Sequence, residues 1–381
     1  MKKIKKILMV FGTRPEAIKM APLYHKLKQQ EKIFNTKVCV TGQHKEMLEN
    51  VFETFDMQPD INLNLMQTNQ DLFDLSSSAL IAMRDVLIKE KPDIILVHGD
   101  TTTSNIAATA GFYLNIKIGH IEAGLRTNDI YSPFPEEFNR QLISMISTWH
   151  FAPTKTSMKN LIDEKYSKES IFVTGNTVID ALFWTINKIE ENKDFKDKII
   201  KRINQSIDFN WENEKFILIT GHRRESFGDG FKNICKAIKE LSEQNKDIHF
   251  IYPVHLNPNV NIPVHEALSN LDNVHLIEPM NYEDFVYLIK KSYLIITDSG
   301  GIQEEAPSLG KPVVVMRDTT ERPEAVEAGT VMLSGNRTDS IIRCVSDLLK
   351  DKELYMKMSK SYNPYGNGDA CTKIVDILKS I

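Results

Sequence analysis

The sequence predicts an α/β protein built on doubly wound parallel sheets and divided into two domains. Three observations predict it. Short β-branched apolar runs recur along the chain, helix-period segments lie between them, and the 381 residues exceed the roughly 250 to 300 at which a single core stops growing.

The runs at 7–11, 37–41, 93–97, 116–121 and 171–174 belong to the first half, and those at 216–220, 248–252, 274–277, 293–297 and 312–316 to the second. Each is short and apolar on both faces, as a strand buried in a parallel sheet must be. Helical periodicity fills 16–29, 71–89, 105–113, 231–243, 282–290 and 302–309. Strand and helix in alternation make βαβ units. A long polar helical stretch at 178–207 separates the two strand sets and is the best boundary, giving domains 1–177 and 178–363. The segment 370–381 follows a breaker cluster at 362–368, is helical in pattern, and fits on either domain.

Lys and Arg number 47 against 51 Asp and Glu, a net charge of −4, with 41% hydrophobic and 26% charged residues. The signs are interspersed and no long basic run occurs, which argues against nucleic acid or an anionic membrane as partner. No apolar run approaches the ~20 residues of a membrane span. The apolar stretch near the start stops at Gly12, too soon for a signal peptide. Cys39, Cys235, Cys344 and Cys371 lie far apart, so neither a zinc site nor a disulfide framework is expected. A cytoplasmic protein is expected.

No Gly-x-Gly-x-x-Gly and no Gly-x-x-x-x-Gly-Lys-Ser/Thr is present, so NAD and a P-loop nucleotide lack their usual sequence support. What remains is a set of polar loops at the carboxyl ends of predicted strands, where open α/β sheets bind ligands. The first, Gly12-Thr13-Arg14-Pro15-Glu16 with Lys19 one turn on, opens a helix and is suited to phosphate. It also reads as a plain turn with solvated cations. In His98-Gly99-Asp100-Thr101, the acid stands after a permissive glycine, and Asp100 equally fits an N-cap. Glu122 ends another strand, and Glu136 opens the helix after Pro133-Phe134-Pro135. One acid in a first turn usually opposes the helix dipole; three at successive strand ends converge on one crevice.

The second half offers Gly221-His222-Arg223-Arg224-Glu225, an imidazole and guanidiniums matched to a pyrophosphate, or a basic surface loop. Asp298-Ser299-Gly300-Gly301 ends a strand and starts a helix whose amides can hold phosphate, with Glu305 one turn later in reach of ribose hydroxyls. Arg317 to Glu324 can complete a nucleotide wall. His255 follows a strand and reads equally as a ligand contact or a structural loop histidine. The other histidines show no metal spacing.

Five segments in this order resemble the non-hydrolysing UDP-N-acetylglucosamine 2-epimerases of bacteria: Phe11 to Lys19, His98 to Thr103, Glu122 to Arg126, Thr220 to Glu225 and Asp298 to Pro312. The resemblance covers essentially the whole chain. It implies two Rossmann-like domains facing a central cleft, as in GT-B enzymes, with 364–381 returning to the first domain. It implies a homodimer that needs no metal or NAD. Asp100, Glu122 and Glu136 match the family's catalytic acids, and Lys19 and His222 its functional basic residues. Arg14, Arg223, Ser299, Gly300, Gly301 and Glu305 fall on UDP-binding positions. Gln43 and His255 match positions tied to activation by a second UDP-sugar, while Glu46 and Asn69 depart from the Gln and Arg of some members. The implied reaction converts UDP-N-acetylglucosamine to UDP-N-acetylmannosamine for surface polysaccharide. A hydrolysing epimerase, or one acting on another UDP-2-acetamido sugar, is the alternative.

Overall fold

The apolar runs become the middles of two parallel sheets. The computed structural model describes residues 4–42, 45–65 and 70–381, side chains at 45–47 and 224 excepted. The chain divides into two units, Met1–Trp184 with Tyr365–Ile381, and Thr185–Pro364.

In the first unit the strands are β1 (Lys5–Phe11), β2 (Phe34–Val40), β3 (Ile61–Asn62), β4 (Ile94–His98), β5 (Lys117–Ile121), β6 (Trp149–Ala152) and β7 (Ile171–Val173). They pair in the order β3-β2-β1-β4-β5-β6-β7. Ile7 lies opposite Ile94 and Val10 opposite Val97. Val10, Ile95, Val97 and Ile118 pack with Met83, Leu87, Ala107 and Ile143 in one core. The second unit carries β8 (Phe216–Thr220), β9 (His249–Pro253), β10 (Val274–Ile277), β11 (Leu294–Thr297), β12 (Val313–Val315) and β13 (Val331–Leu333). Their order is β10-β9-β8-β11-β12-β13. Here Ile217, Ile219, Ile296 and Val314 pack with Phe231, Ile238, Val260 and Ile341.

Both orders begin 3-2-1-4, the Rossmann arrangement, so the chain reverses its winding beside the first strand of each sheet. Ligands bind outside the carboxyl ends of the strands at that reversal. In the first unit it lies between β1 and β4, and in the second between β8 and β11. The candidate loops at Gly12, His98, Gly221 and Asp298 leave these four strands.

The polar stretch at the boundary is two helices, Thr177–Glu191 and Lys193–Ser206, rather than one. Asn192 breaks it by capping the second helix, its side chain accepting from Phe195 N at 3.0 Å. The C-terminal helix Ala370–Ser380 lies in the first unit. Asp180 accepts from Ala370 N at 3.2 Å and Cys371 N at 2.9 Å, and Lys5 Nζ donates to Leu378 O at 2.9 Å. Strands β3, β6 and β13 were not legible as apolar runs. β3 has two residues and β13 three, and β6 contains His150, whose buried Nε2 donates to Ser144 O at 3.0 Å. No described helix is long and apolar enough to cross a membrane.

Candidate active site

At the end of β1, Gly12 is needed for close approach. A Cβ there would stand 2.3 Å from Thr41 Oγ1 and 2.4 Å from Thr103 Oγ1. Thr13 and Glu16 form a capping box on the helix Arg14–Lys28, which begins with Arg14 and Pro15. Glu16 is buried, and its carboxylate joins two loops. Oε2 accepts from Gly12 N, Thr13 N and Thr13 Oγ1 at 3.1, 2.8 and 2.8 Å. Oε1 accepts from Thr101 Oγ1 at 2.7 Å and Ser104 Oγ at 2.9 Å. Burial raises the Glu16 pKa, and these hydrogen bonds oppose the shift. The loop carrying Arg14 and the loop carrying Asp100 are thereby fixed to each other.

Asp100 is not a helix cap. Thr101 takes that place, accepting from Ser104 N at 3.1 Å. The Asp100 carboxylate instead pairs with Arg140, whose second nitrogen lies 3.2 Å from Glu137 Oε2. Burial raises the Asp100 pKa, Arg140 lowers it, and the Glu122 charge raises it again. Asn139 Nδ2 donates to Asp100 O at 2.9 Å. Glu136 is the first residue of that helix, Glu136–Ile146. Asn139 and Arg140, which meet Asp100, lie three and four residues on, the spacing of one helix face.

Glu122 follows β5 with a left-handed backbone, φ +63°. That conformation is uncommon for a residue with a Cβ and marks a position held by its surroundings. Lys19 Nζ donates to its Oε2 at 2.6 Å and Asn176 Nδ2 at 2.8 Å. His98 Nε2 is 3.7 Å from the same oxygen, beyond hydrogen-bonding distance. Burial holds the His98 ring neutral, its pKa lowered to about 4. His120 is likewise neutral at about 3, and its Nε2 donates to Gly99 O at 2.7 Å. The first unit therefore brings Lys19 and Glu122 into contact and sets Asp100 in the field of both. Arg126 donates bidentately to Glu164 at 2.6 and 2.8 Å, a structural pairing.

In the second unit the buried carboxylate of Asp298 shapes the loop after β8. Its Oδ2 accepts from His222 N at 2.7 Å and Arg223 N at 2.8 Å. The His222 ring lies 3.7 Å from Oδ1. Burial lowers the His222 pKa while Asp298 opposes that. His255 stacks on His222, ring centres 5.4 Å apart at 18°. Ser299 precedes the helix Gly300–Ser308 and makes no side-chain cap, so no side chain of the cap residue occupies its first amides. A Cβ on Gly300 would stand 3.8 Å from an Arg223 nitrogen and 3.9 Å from an Arg322 nitrogen. Two guanidiniums thus flank a helix N-terminus, an arrangement that favours an anion. Arg223 Nε is buried and lacks a hydrogen-bond partner among the described residues, and Arg322 pairs with Glu304. Glu305 Oε1 accepts from Tyr282 OH at 2.8 Å, and Oε2 lies 3.9 Å from where a Gly301 Cβ would stand.

A family model described as UDP-N-acetylglucosamine 2-epimerase matches residues 25–379. The chain belongs to the UDP-N-acetylglucosamine 2-epimerase family. A Campylobacter jejuni protein of that name is 57% identical, covering 98% of this chain and 97% of its own. An Escherichia coli K12 protein of the same name is 52% identical over 98% of both chains. A crystal structure from Neisseria meningitidis, solved with UDP-N-acetylglucosamine bound, is 50% identical with a TM-score of 0.91 and covers 99% of this chain and 100% of its own. Family members are isomerases, and the two doubly wound units are those of a GT-B-like fold.

Several residues of the site were not assigned from sequence. Asn176, Arg140, Asp298 and Tyr282 hold Glu122, Asp100, the His222 loop and Glu305. Asp298 opens the segment Asp298 to Pro312, and its place as the last polar residue before Ser299-Gly300-Gly301 is a usable signal. Arg140 and Asn176 carried none. Gln43, Glu46 and Asn69 lie outside the described residues or have side chains outside them.

Proposed function

We propose that the chain interconverts UDP-N-acetylglucosamine and UDP-N-acetylmannosamine by eliminating UDP and adding it back. The observation carrying this reading is the joint presence of two sets of groups. Carboxylates stand at the ends of β4 and β5, and a helix N-terminus flanked by the guanidiniums of Arg223 and Arg322 stands at the end of β11. Carbon 2 of the sugar has no adjacent carbonyl, so its proton is not acidic enough for a carboxylate to remove alone. The bond from carbon 1 to the UDP oxygen must break, with the electron pair leaving on UDP. Arg223, His222 and the Ser299-Gly300-Gly301 helix start stabilise that growing charge, Arg14 assists on the nucleotide, and Glu305 takes ribose hydroxyls. One of Asp100, Glu122 and Glu136 takes the carbon 2 proton, and a double bond forms between carbons 1 and 2. A second acid returns a proton to the opposite face as the UDP oxygen re-adds to carbon 1. Two faces require two acid/base groups, which is the reason for several carboxylates. The raised pKa of Asp100 suits a group that must both give and take a proton.

The product supplies N-acetylmannosamine units for surface polysaccharide. In deuterated water the epimerised UDP-sugar carries deuterium at carbon 2. A product that keeps protium there contradicts elimination. We also propose a homodimer, supported by the exposed Phe73, Phe134 and Phe138, which line an apolar groove of about 600 Å³ on the first unit. A monomeric mass in light scattering contradicts it.

A further inference from the structure

Glu122 has to hold one carboxylate plane from a backbone conformation that its own side chain does not favour. Lys19 supplies an ammonium to Oε2, but an ammonium on a flexible stem sets no plane. Asn176 does. It is 2% exposed and held from three sides. Its backbone N–H donates to Tyr365 O at 2.8 Å, its Oδ1 accepts from Val178 N at 3.3 Å, and its Nδ2 donates to Glu122 Oε2 at 2.8 Å. Because Oδ1 already faces a backbone N–H, the amide is oriented with its N–H toward Glu122.

We propose that Asn176 is a positioning residue for the epimerisation: with Lys19 it fixes the plane of the Glu122 carboxylate and favours its ionised form. The inference rests on the acid/base role proposed for Glu122. A proton arriving on Oε2 would displace a donor, so Lys19 and Asn176 hold the carboxylate ionised until substrate presents its proton. Among the groups that also face Glu122 are His98 from the end of β4, neutral, and Asp100 from the following loop, with Arg140 behind it. Through Tyr365, Asn176 also ties this carboxylate to the C-terminal segment that runs into the helix Ala370–Ser380.

Asn176→Asp tests the idea with little change of shape. It keeps an oxygen for Val178 N and the backbone bond to Tyr365, and replaces only the donor to Glu122 by an acceptor. The expected result is a kcat about 10- to 100-fold lower, with KM and UDP affinity within about twofold of wild type. The acid limb of the kcat–pH profile moves up by about one unit or more, because a second carboxyl now opposes ionisation of Glu122. Asn176→Ala should lower kcat with a smaller shift. An unchanged kcat and acid limb in a folded variant overturns the proposal, and so does a parallel loss of kcat, UDP affinity and melting temperature. Failure of both variants to fold assigns Asn176 to the fold and overturns it as well. Glu122→Gln, measured beside them, separates the two readings. If it turns over normally, the role proposed for Glu122 is wrong. If it is inactive while the Asn176 variants behave as wild type, this inference alone is wrong.

Discussion

Replacing Glu16 tests whether a buried carboxylate holds the Arg14 loop to the Asp100 loop. In Glu16→Ala, five donor atoms lose their acceptor: Gly12 N, Thr13 N and the hydroxyls of Thr13, Thr101 and Ser104. The hydroxyls can turn to other partners, and Ser104 already has one in His98 O at 2.7 Å. The two backbone N–H groups cannot turn. Each buried donor left unpaired costs about 1–3 kcal/mol, and the Thr13 N–H among them is the reciprocal half of the capping box. The expected loss is about 2–6 kcal/mol, a large part of a typical stability of about 5–15 kcal/mol. Glu16→Gln keeps an oxygen for the backbone N–H groups and turns its NH2 toward Thr101 and Ser104, whose oxygens can accept. It should cost only about 1 kcal/mol, the difference between charge-assisted and neutral bonds. Urea unfolding of the three proteins gives the free energies, and initial rates show whether catalysis follows. If Glu16→Ala loses less than about 1 kcal/mol, or if Glu16→Gln is as damaging as Glu16→Ala, the proposed bolt does not exist.

His120 gives a pH test whose sign is fixed by burial. Its native pKa, about 3, lies below the ordinary 6.5, so the stability of the neutral ring is complete above 6.5 and is lost as pH falls below it. Between about pH 8 and pH 5.5 the protein should lose about 1.4 kcal/mol more than His120→Asn; equal losses in urea unfolding contradict the assignment. Holding UDP and doing chemistry should separate by residue. Asp100→Asn, Glu122→Gln and Glu136→Gln should bind UDP nearly normally and lose about 100- to 10,000-fold in turnover, roughly 3–5 kcal/mol of barrier. Glu305→Ala should chiefly weaken UDP binding in calorimetry. Equal loss of UDP affinity in the three acid variants would make the carboxylates structural.

What the sequence displays of this site, and what it hides, follows from how α/β sheets are built. A doubly wound sheet sends the ends of its first and fourth strands to one place. The residues directly after those strands are therefore legible once the strands are: Gly12 and Asp100 stand there in the first unit, and His222 and Ser299 in the second. The side chains that hold them come from elsewhere in the chain and are of common type. Arg140 meets Asp100 from 40 residues away, and Asn176 meets Glu122 from 54. Nothing local distinguishes either from a surface residue. Asp100 shows how one position changes the reading. As a strand-end acid before Thr-Thr-Thr it could cap the next helix, and then its carboxylate would be spent on backbone N–H groups. The cap falls one residue later, on Thr101, whose hydroxyl also reaches Glu16. That shift releases the Asp100 side chain to face Arg140, and the same hydroxyl that releases it locks the loop to the helix carrying Arg14 and Lys19. With Thr101 as the cap, the helix start is satisfied without Asp100, and its carboxylate is free to pair with Arg140.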